Sequence, residues 1–413
     1  MKARHDPYAA FRIPAYRLFL LGWSFALVGT RSQSVAVGWE IYQRTGQALA
    51  LGYVGLVQAI PIMALALPAG FLVDRHDRRR ILLLSLVGMT LTSLGLAVVS
   101  HTSGPVALIY LLLFLDATAV ALGRPARHAL LPRLVPRETF PNAVTWNTST
   151  HQVASVAGPA LGGFIVAFSV PSAYVVCAAG SLAFLLLMTR IQLTTAAPDP
   201  APASWDTLIG GLRFVCRTRL ILAAISLDML AVLFGGAVYL LPIYAEDILA
   251  VGAHGYGWLN AAPAAGAFCM ALFLAHRPPM RRAGRNLLLA VAGFGAATIV
   301  FGFSRLFGLS LVMLFLTGAL DNISVVVRHT LIQLGTPDRL RGRVSAINGV
   351  FIGASNELGG LESGLVAHFL GPVFSVVSGG IATILVVAAT ALASPELRRL
   401  GTLQSIVSTP TEE

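Results

Sequence analysis

The sequence predicts an all-α membrane protein of twelve transmembrane helices in two pseudo-symmetric six-helix bundles. Three observations carry this. First, 56% of the 413 residues are hydrophobic and 11% charged, with a mean hydropathy of +0.77. Soluble domains hold roughly 45–50% apolar residues. Second, the apolar residues form runs of about 17 to 25, long enough to cross the hydrocarbon core as helices. Third, the chain repeats part of itself about 200 residues on.

The twelve spans lie at 18–42, 48–72, 81–100, 106–122, 143–168, 173–188, 220–244, 257–275, 287–303, 307–327, 344–370 and 373–393. Residues 1–17 before them are polar, carry four cations and lack a small-residue cleavage site, so they read as a retained cytoplasmic tail. The fifth span is loaded by Asn147, Thr148, His151 and Gln152, and the eleventh by Asn356, Glu357 and Glu362. Of the 29 Lys and Arg, all but Arg31, Arg44 and Arg305 fall at or beside the tails and the even-numbered loops. The positive-inside rule makes that side cytoplasmic and puts both termini there. Connections on the opposite side, such as 101–105 and 169–172, are very short.

Other classes are excluded by what the residues do not offer. The net charge of +11 comes from arginines that punctuate apolar runs, not from a basic stripe on a polar domain, so no nucleic-acid partner is expected. Cys177, Cys216 and Cys269 have no paired spacing, so neither a disulfide framework nor a metal site is indicated. The single lysine is Lys2, no phosphate-binding loop occurs, and a hydrolytic serine elbow is absent. The chain therefore reads as no enzyme, with no cofactor.

A shift of 201 superposes Arg127 on Arg328, His128 on His329, Pro136 on Pro337, Asn147 on Asn348, Gly158 on Gly359 and Gly163 on Gly364. At 202, Pro61 and Phe71 meet Pro263 and Phe273. The fourth and fifth spans thus repeat as the tenth and eleventh, the pattern of a six-plus-six transporter with its site between the halves. The expected organisation is a tail at 1–17, a first bundle at 18–190, a linker at 191–219, a second bundle at 220–395 and a tail at 396–413. The linker opens with an Ala/Pro-rich stretch and continues as an amphipathic surface helix over 204–217.

Between the second and third spans stands Gly70-x-x-x-Asp74-Arg75-x-Asp77-Arg78-Arg79. Asp74 can accept from a helix N-terminus while Arg75, Arg78 and Arg79 hold nearby carbonyls, latching one conformation; otherwise the loop is a solvated turn that sets orientation. In the fifth span Gly158-Pro159-x-x-Gly162-Gly163 makes a kinked, side-chain-poor face that another helix can approach closely. The first motif resembles the signature of the major facilitator superfamily, with Asp77 in place of its second glycine. The second resembles the superfamily's antiporter motif, with Ala154 for its leading glycine. More narrowly, 38–46, 124–127 and 336–344 look like the bacterial exporter branch that includes enterobactin and macrolide efflux proteins. The resemblance implies a multi-pass protein of the bacterial inner membrane, export driven by proton entry, and a gating role for the two motifs. The fourth span lacks the membrane arginine of many drug/proton antiporters and shows Leu113 and Asp116 there.

Ionised side chains inside a bilayer cost several kcal/mol unless paired or hydrated, so they are functional candidates. Arg31, Asp116, Asp228 and Asp321 occupy spans one, four, seven and ten, which in the superfamily line the central cavity. At about 1.5 Å per residue the three aspartates lie roughly 10 to 12 Å deep, and Arg31 and Glu357 about 20 Å. Glu357 and Glu362 stand where the first copy has Val156 and Leu161. Glu357 is the leading candidate for proton coupling, then Asp228, with Asp321 and Asp116; a static role, such as Asp321 bonding Asn322, is the alternative. Arg31, Asn322 and Asn356 are the expected substrate contacts. Glu362 and Glu40 read as gate or headgroup charges. The expectation is a monomeric secondary transporter that exports an amphipathic organic compound, siderophore or drug-like, by alternating-access proton antiport. Its partners are a small-molecule substrate, protons and lipids. Two readings stay open beside it: a uniporter or symporter for an organic anion, with Arg31 as charge partner, and a receptor or lipid-moving protein on a transporter scaffold.

Overall fold

A computed structural model describes residues 6–65, 68–191, 212–277 and 280–401, without the side chains of Asp74, Asp338, Arg339, residues 341–343, Ser345, Ala346 and Val350. All regular structure in these residues is helical. In chain order the helices are α1 (Pro14–Thr45), α2 (Ala48–Leu65), α3 (Pro68–Arg75), α4 (Arg78–His101), α5 (Val106–Leu134), α6 (Phe140–Phe168) and α7 (Val170–Arg190). They continue as α8 (Arg219–Phe234), α9 (Gly252–Ala275), α10 (Ala283–Phe303), α11 (Phe307–Gly335), α12 (Asp338–Leu370), α13 (Pro372–Ala393) and the short α14 (Pro395–Arg399).

Among the described residues, ten helical segments are long and apolar enough to span a bilayer. α1 and α12, at 32 and 33 residues, reach as far but carry more polar groups. Together they account for the twelve expected spans. The helices overrun the apolar windows: α5 continues to Leu134, about three turns past the fourth span, and α11 to Gly335, about two turns past the tenth. Span seven is broken. α8 stops at Gly235-Gly236, where a 3-10 turn (Gly236–Leu240) begins, and Leu241–Ile243 and a π-helical turn (Tyr244–Ile248) complete the crossing. Paired glycines lose the most backbone freedom in a helix, and Pro242 cannot donate, so the break falls where helix formation is weakest. Of the expected surface helix over 204–217, only 212–217 belongs to the described residues, and it is helical.

The chain forms two compact units, Met1–Glu40 with Ile60–Pro202 and Ile41–Ala59 with Ala203–Glu413. In the first, α4 packs on α5 and α7, and α6 on α7. Its core gathers Phe19, Leu82, Leu86, Leu130, Phe184 and Met188, with Phe19 and Phe184 edge to face at 5.6 Å. The polar start of the chain is anchored here: Asn142 Nδ2 and Trp146 Nε1 donate to Pro7 O at 2.7 and 2.9 Å. In the second unit, α9 packs on α11, α10 on α11 and α13, and α12 on α8 and α13. Its core includes Ile221, Leu227, Leu287, Val327 and Leu331.

Small residues set how closely these helices approach, because lipid supplies no hydrophobic drive between them. The face of Gly318 in α11 lies against the Pro263 carbonyl of α9, and that of Gly266 against the Phe315 carbonyl. Gly318→Leu is therefore expected to cost about 1–3 kcal/mol through overpacking and to lower the Tm of the purified protein. Gly308→Ala, where an added methyl meets nothing within 4 Å, should leave the Tm unchanged. An unaltered Tm in Gly318→Leu would contradict this packing of α9 on α11.

Candidate functional site

In the first unit the buried polar side chains form a chain across α1, α4 and α5. Asp116, 9% exposed, accepts from Thr92 Oγ1 at 2.8 Å and from Gln33 Nε2 at 3.5 Å. Ser93 Oγ donates to Gln33 Oε1 at 2.8 Å. These neutral donors satisfy the carboxyl oxygens in place of water. Glu40 corrects the expectation of a headgroup-facing charge: it is 4% exposed and accepts from Tyr174 OH at 2.6 Å.

The glycine motif of α6 does make a close approach, onto α1. An added methyl at Gly158 would run into Arg31 Cβ, and one at Gly162 would sit 2.8 Å from Ser32 Cα. Ser32 Oγ donates to Gly158 O at 2.9 Å. Pro159 and Gly163 are buried beside them. Arg31 itself is half-buried.

At the loop between α3 and α4, Asp77 accepts from Arg79 N at 2.8 Å and so caps α4. This gives the departure from glycine a physical reason, since a carboxylate satisfies an orphan N–H and complements the helix dipole. Arg79 Nη2 donates to Met188 O and Thr189 O at 3.2 and 2.9 Å, holding the carbonyl end of α7. Arg75 is exposed and Gly70 and Arg78 half-buried. The side chain of Asp74, the proposed latch, lies outside the described residues.

In the second unit Asp228 of α8 forms an ion pair with Arg328 of α11, and the two are 5% and 2% exposed. Asp321, two turns before Arg328, lines a small recess with Asp228, Ala231, Val232, Val291, Phe294 and Ser324. It has room for about one water molecule. The buried Oδ1 of Asn322 and Oγ of Ser324 have no hydrogen-bond partner. Glu357 on α12 accepts from Tyr239 OH at 3.2 Å, and Gly360 lies against the Tyr239 ring. Asn356 is exposed, and its amide donates to Ile352 O of its own helix at 2.9 Å. Gly52 and Gly55 of α2 pack on Gly364 and on the Glu357 carbonyl, and Tyr42 OH donates to Asp247.

Arg328 is the residue that sequence reasoning missed. It counts among the even-loop cations because the apolar run ends at 327, yet α11 carries it inward. Its seven-residue spacing from Asp321 put both on one helix face, and that was the available signal.

Over residues 5–412 the sequence matches the family described as transmembrane secretion effector. It is 28% identical over 394 residues to the enterobactin exporter EntS of Shigella boydii, covering 94% of this chain and 93% of that protein, and equally so to EntS of Escherichia coli O1:K1. Among solved structures, a bacterial homologue of the human lysosomal transporter Spinster, inward-facing and occupied, superposes with a TM-score of 0.71 at 15% identity over 95% of this chain and 99% of its own. A POT peptide transporter does so with a TM-score of 0.75 at 12% identity, over 97% of this chain and 100% of its own. Such distant structures share the fold and say nothing of cargo.

The buried pair has a measurable signature. Asp228→Asn or Arg328→Gln alone should each cost about 3–5 kcal/mol, because each strands a charge. The double change Asp228→Asn with Arg328→Gln should cost clearly less than the two single losses together. Additive losses in the unfolding of purified protein would show that the two residues do not depend on each other.

Proposed function

Because the chain belongs to the transmembrane secretion effector family of the major facilitator superfamily, we propose that it exports an amphipathic organic compound, siderophore or drug-like, in exchange for protons. It is an efflux-type membrane transporter, not an enzyme, and its cargo is a small molecule. We assign it to the bacterial inner membrane as a monomer with both termini cytoplasmic, the orientation favoured by its arginine distribution.

One observation carries the proton reading. Two carboxylates, Asp228 and Asp321, line one recess in the second unit, and Arg328 pairs with Asp228 alone, so an ionised Asp321 adds a net negative charge there. The recess admits about one water and no organic cargo. A single proton on Asp321 restores neutrality when the recess is shut from water, and an ionised Asp321 is tolerated only while water reaches it. That alternation is what an antiporter requires of its proton site. Asp228 then holds Arg328 in place while Asp321 loads and unloads.

Glu357 serves as a second carrier beside Tyr239, and Asp116 as a fixed carboxylate that ties α1, α4 and α5 together. Arg31, Asn322 and Asn356 are assigned to the cargo. Gating falls to Gly70, Asp74, Arg75, Arg78 and Arg79 at the α3–α4 loop, and to Gly158, Pro159, Gly162 and Gly163 on α6. Uniport or symport of an organic anion is the second reading, favoured by Arg31 in the first unit.

The assignment is tested in inside-out vesicles with an imposed pH gradient and enterobactin as the probe. Wild type should accumulate it against its gradient. Asp321→Asn should lose at least about tenfold of that accumulation while binding persists, the mark of a lost coupling step. Glu357→Gln should be impaired in the same assay. Undiminished uphill transport by both variants would remove the carboxylates from the coupling step.

A further inference from the structure

The first unit presents a basic face made by three helices. Arg124, Arg127 and His128 stand at i, i+3 and i+4 on α5 and so share one side of it. The Arg127 guanidinium lies over the Trp23 ring of α1, 3.4 Å from its centroid, and its Nη2 is 3.4 Å from His128 Nε2. Two turns along α1, Arg31 meets Gly158 of α6, and two turns before Gly158 on the same helix stands His151. The charges acting on His151 are those of Arg31, Arg127 and Arg124, and those acting on His128 are Arg127, Arg124 and His151. All are cations or histidines.

Among the described carboxylates of this unit, Asp116 is held by Thr92 and Gln33, Glu40 by Tyr174 and Asp6 by Arg12. Arg124, His128 and His151 are exposed, and an exposed guanidinium such as that of Arg124 on a helix that spans a bilayer faces water instead of lipid. Two buried polar atoms at this face, Trp23 Nε1 and Asn147 Oδ1, have no hydrogen-bond partner, and Asn147 is one turn from His151.

The face is not repeated intact in the second copy. At the 201-residue shift Arg124 corresponds to Val325 and His151 to Ile352, whereas Val120 corresponds to Asp321 and Val156 to Glu357. Arg127 recurs as Arg328, but there Asp228 neutralises it. Each copy holds four arginines, Arg124, Arg127, Arg133 and Arg137 in the first and Arg328, Arg339, Arg341 and Arg343 in the second, so the copies differ in where these cations stand and not in their number.

We propose that this face binds the anionic, aromatic part of the exported compound, so that the cargo is an amphipathic organic anion such as an aryl carboxylate or sulfonate. The guanidiniums of Arg31, Arg124 and Arg127 supply charge and fork-shaped donors, Trp23 supplies ring contact and an indole N–H, and His128 and His151 supply further donors. This rests on the export reading and narrows its substrate class. An anionic lipid headgroup shares the same chemistry, and the experiment separates the two.

The probes are 1-naphthoate, naphthalene-1-sulfonate and 1-naphthylmethylamine, which share a ring system and differ in charge. Their binding to the full-length chain in phosphatidylcholine nanodiscs is measured by equilibrium dialysis. Both anions should bind at least about tenfold more tightly than the amine, and Arg124→Gln and Arg127→Gln should each weaken the anions by on the order of tenfold. Arg124 is exposed, so Arg124→Gln should fold as wild type, and Arg124→Lys should restore part of the affinity. Equal binding of the amine, or anion binding indifferent to both arginines, overturns the proposal. Displacement of the naphthalene acids by added phosphatidylglycerol, with no energised uptake of them into inverted vesicles, assigns the face to lipid and also overturns it. Energised enterobactin uptake that ignores both arginines leaves export standing and rejects this subsite. Arginine-dependent anion binding without energised uptake of any probe keeps the subsite and rejects export.

Discussion

The cost of an ionised group in a water-poor interior governs the rest of this molecule. A bundle of 56% hydrophobic residues cannot hold a bare carboxylate or guanidinium, so each buried charge must find a partner, meet water or change protonation. The pair Asp228 and Arg328 takes the first course. Asp116 takes it with neutral partners, through Thr92 and Gln33, and Glu40 through Tyr174. In the proposed antiport Asp321, on the recess beside the pair, takes the third course, and the exposed Arg124 takes the second.

Partnering at such short range requires helices that approach closely, and small residues supply that. Gly158 and Gly162 let α6 come onto α1 beside Arg31. Gly236 and Gly359 do the same for the broken span and α12, setting Tyr239 OH 3.2 Å from Glu357. Side chains of ordinary size at these points would push the polar partners apart, so packing and charge placement depend on one another.

Much of this was legible in the sequence because the bilayer imposes a length and a polarity on each helix. Spans, loop-charge alternation and the 201-residue repeat follow from that constraint, and ten of the expected spans recur directly as long apolar helices. α1 and α12 are recognisable only by length, since polar residues turned inward dilute their hydropathy. The break at Gly235-Gly236 carried a local signal that a count of apolar residues passes over. Arg328 was misread because a helix can outrun its apolar window, so a cation just past the window's edge need not be at the surface. Gln33, Thr92 and Ser93 were invisible, because neutral side chains that hold a charge have no pattern of their own until the helices are assembled.

The central claim is that carboxylate chemistry in the second unit exchanges protons for cargo, and proton counterflow tests it most directly. Purified protein is reconstituted into liposomes enclosing a pH-sensitive dye, and enterobactin is added outside with no imposed gradient. The account predicts a proton movement opposite to cargo entry, in fixed ratio to it, that disappears in Asp321→Asn. Cargo entry with no accompanying proton movement, or a proton movement unchanged in that variant, would contradict it.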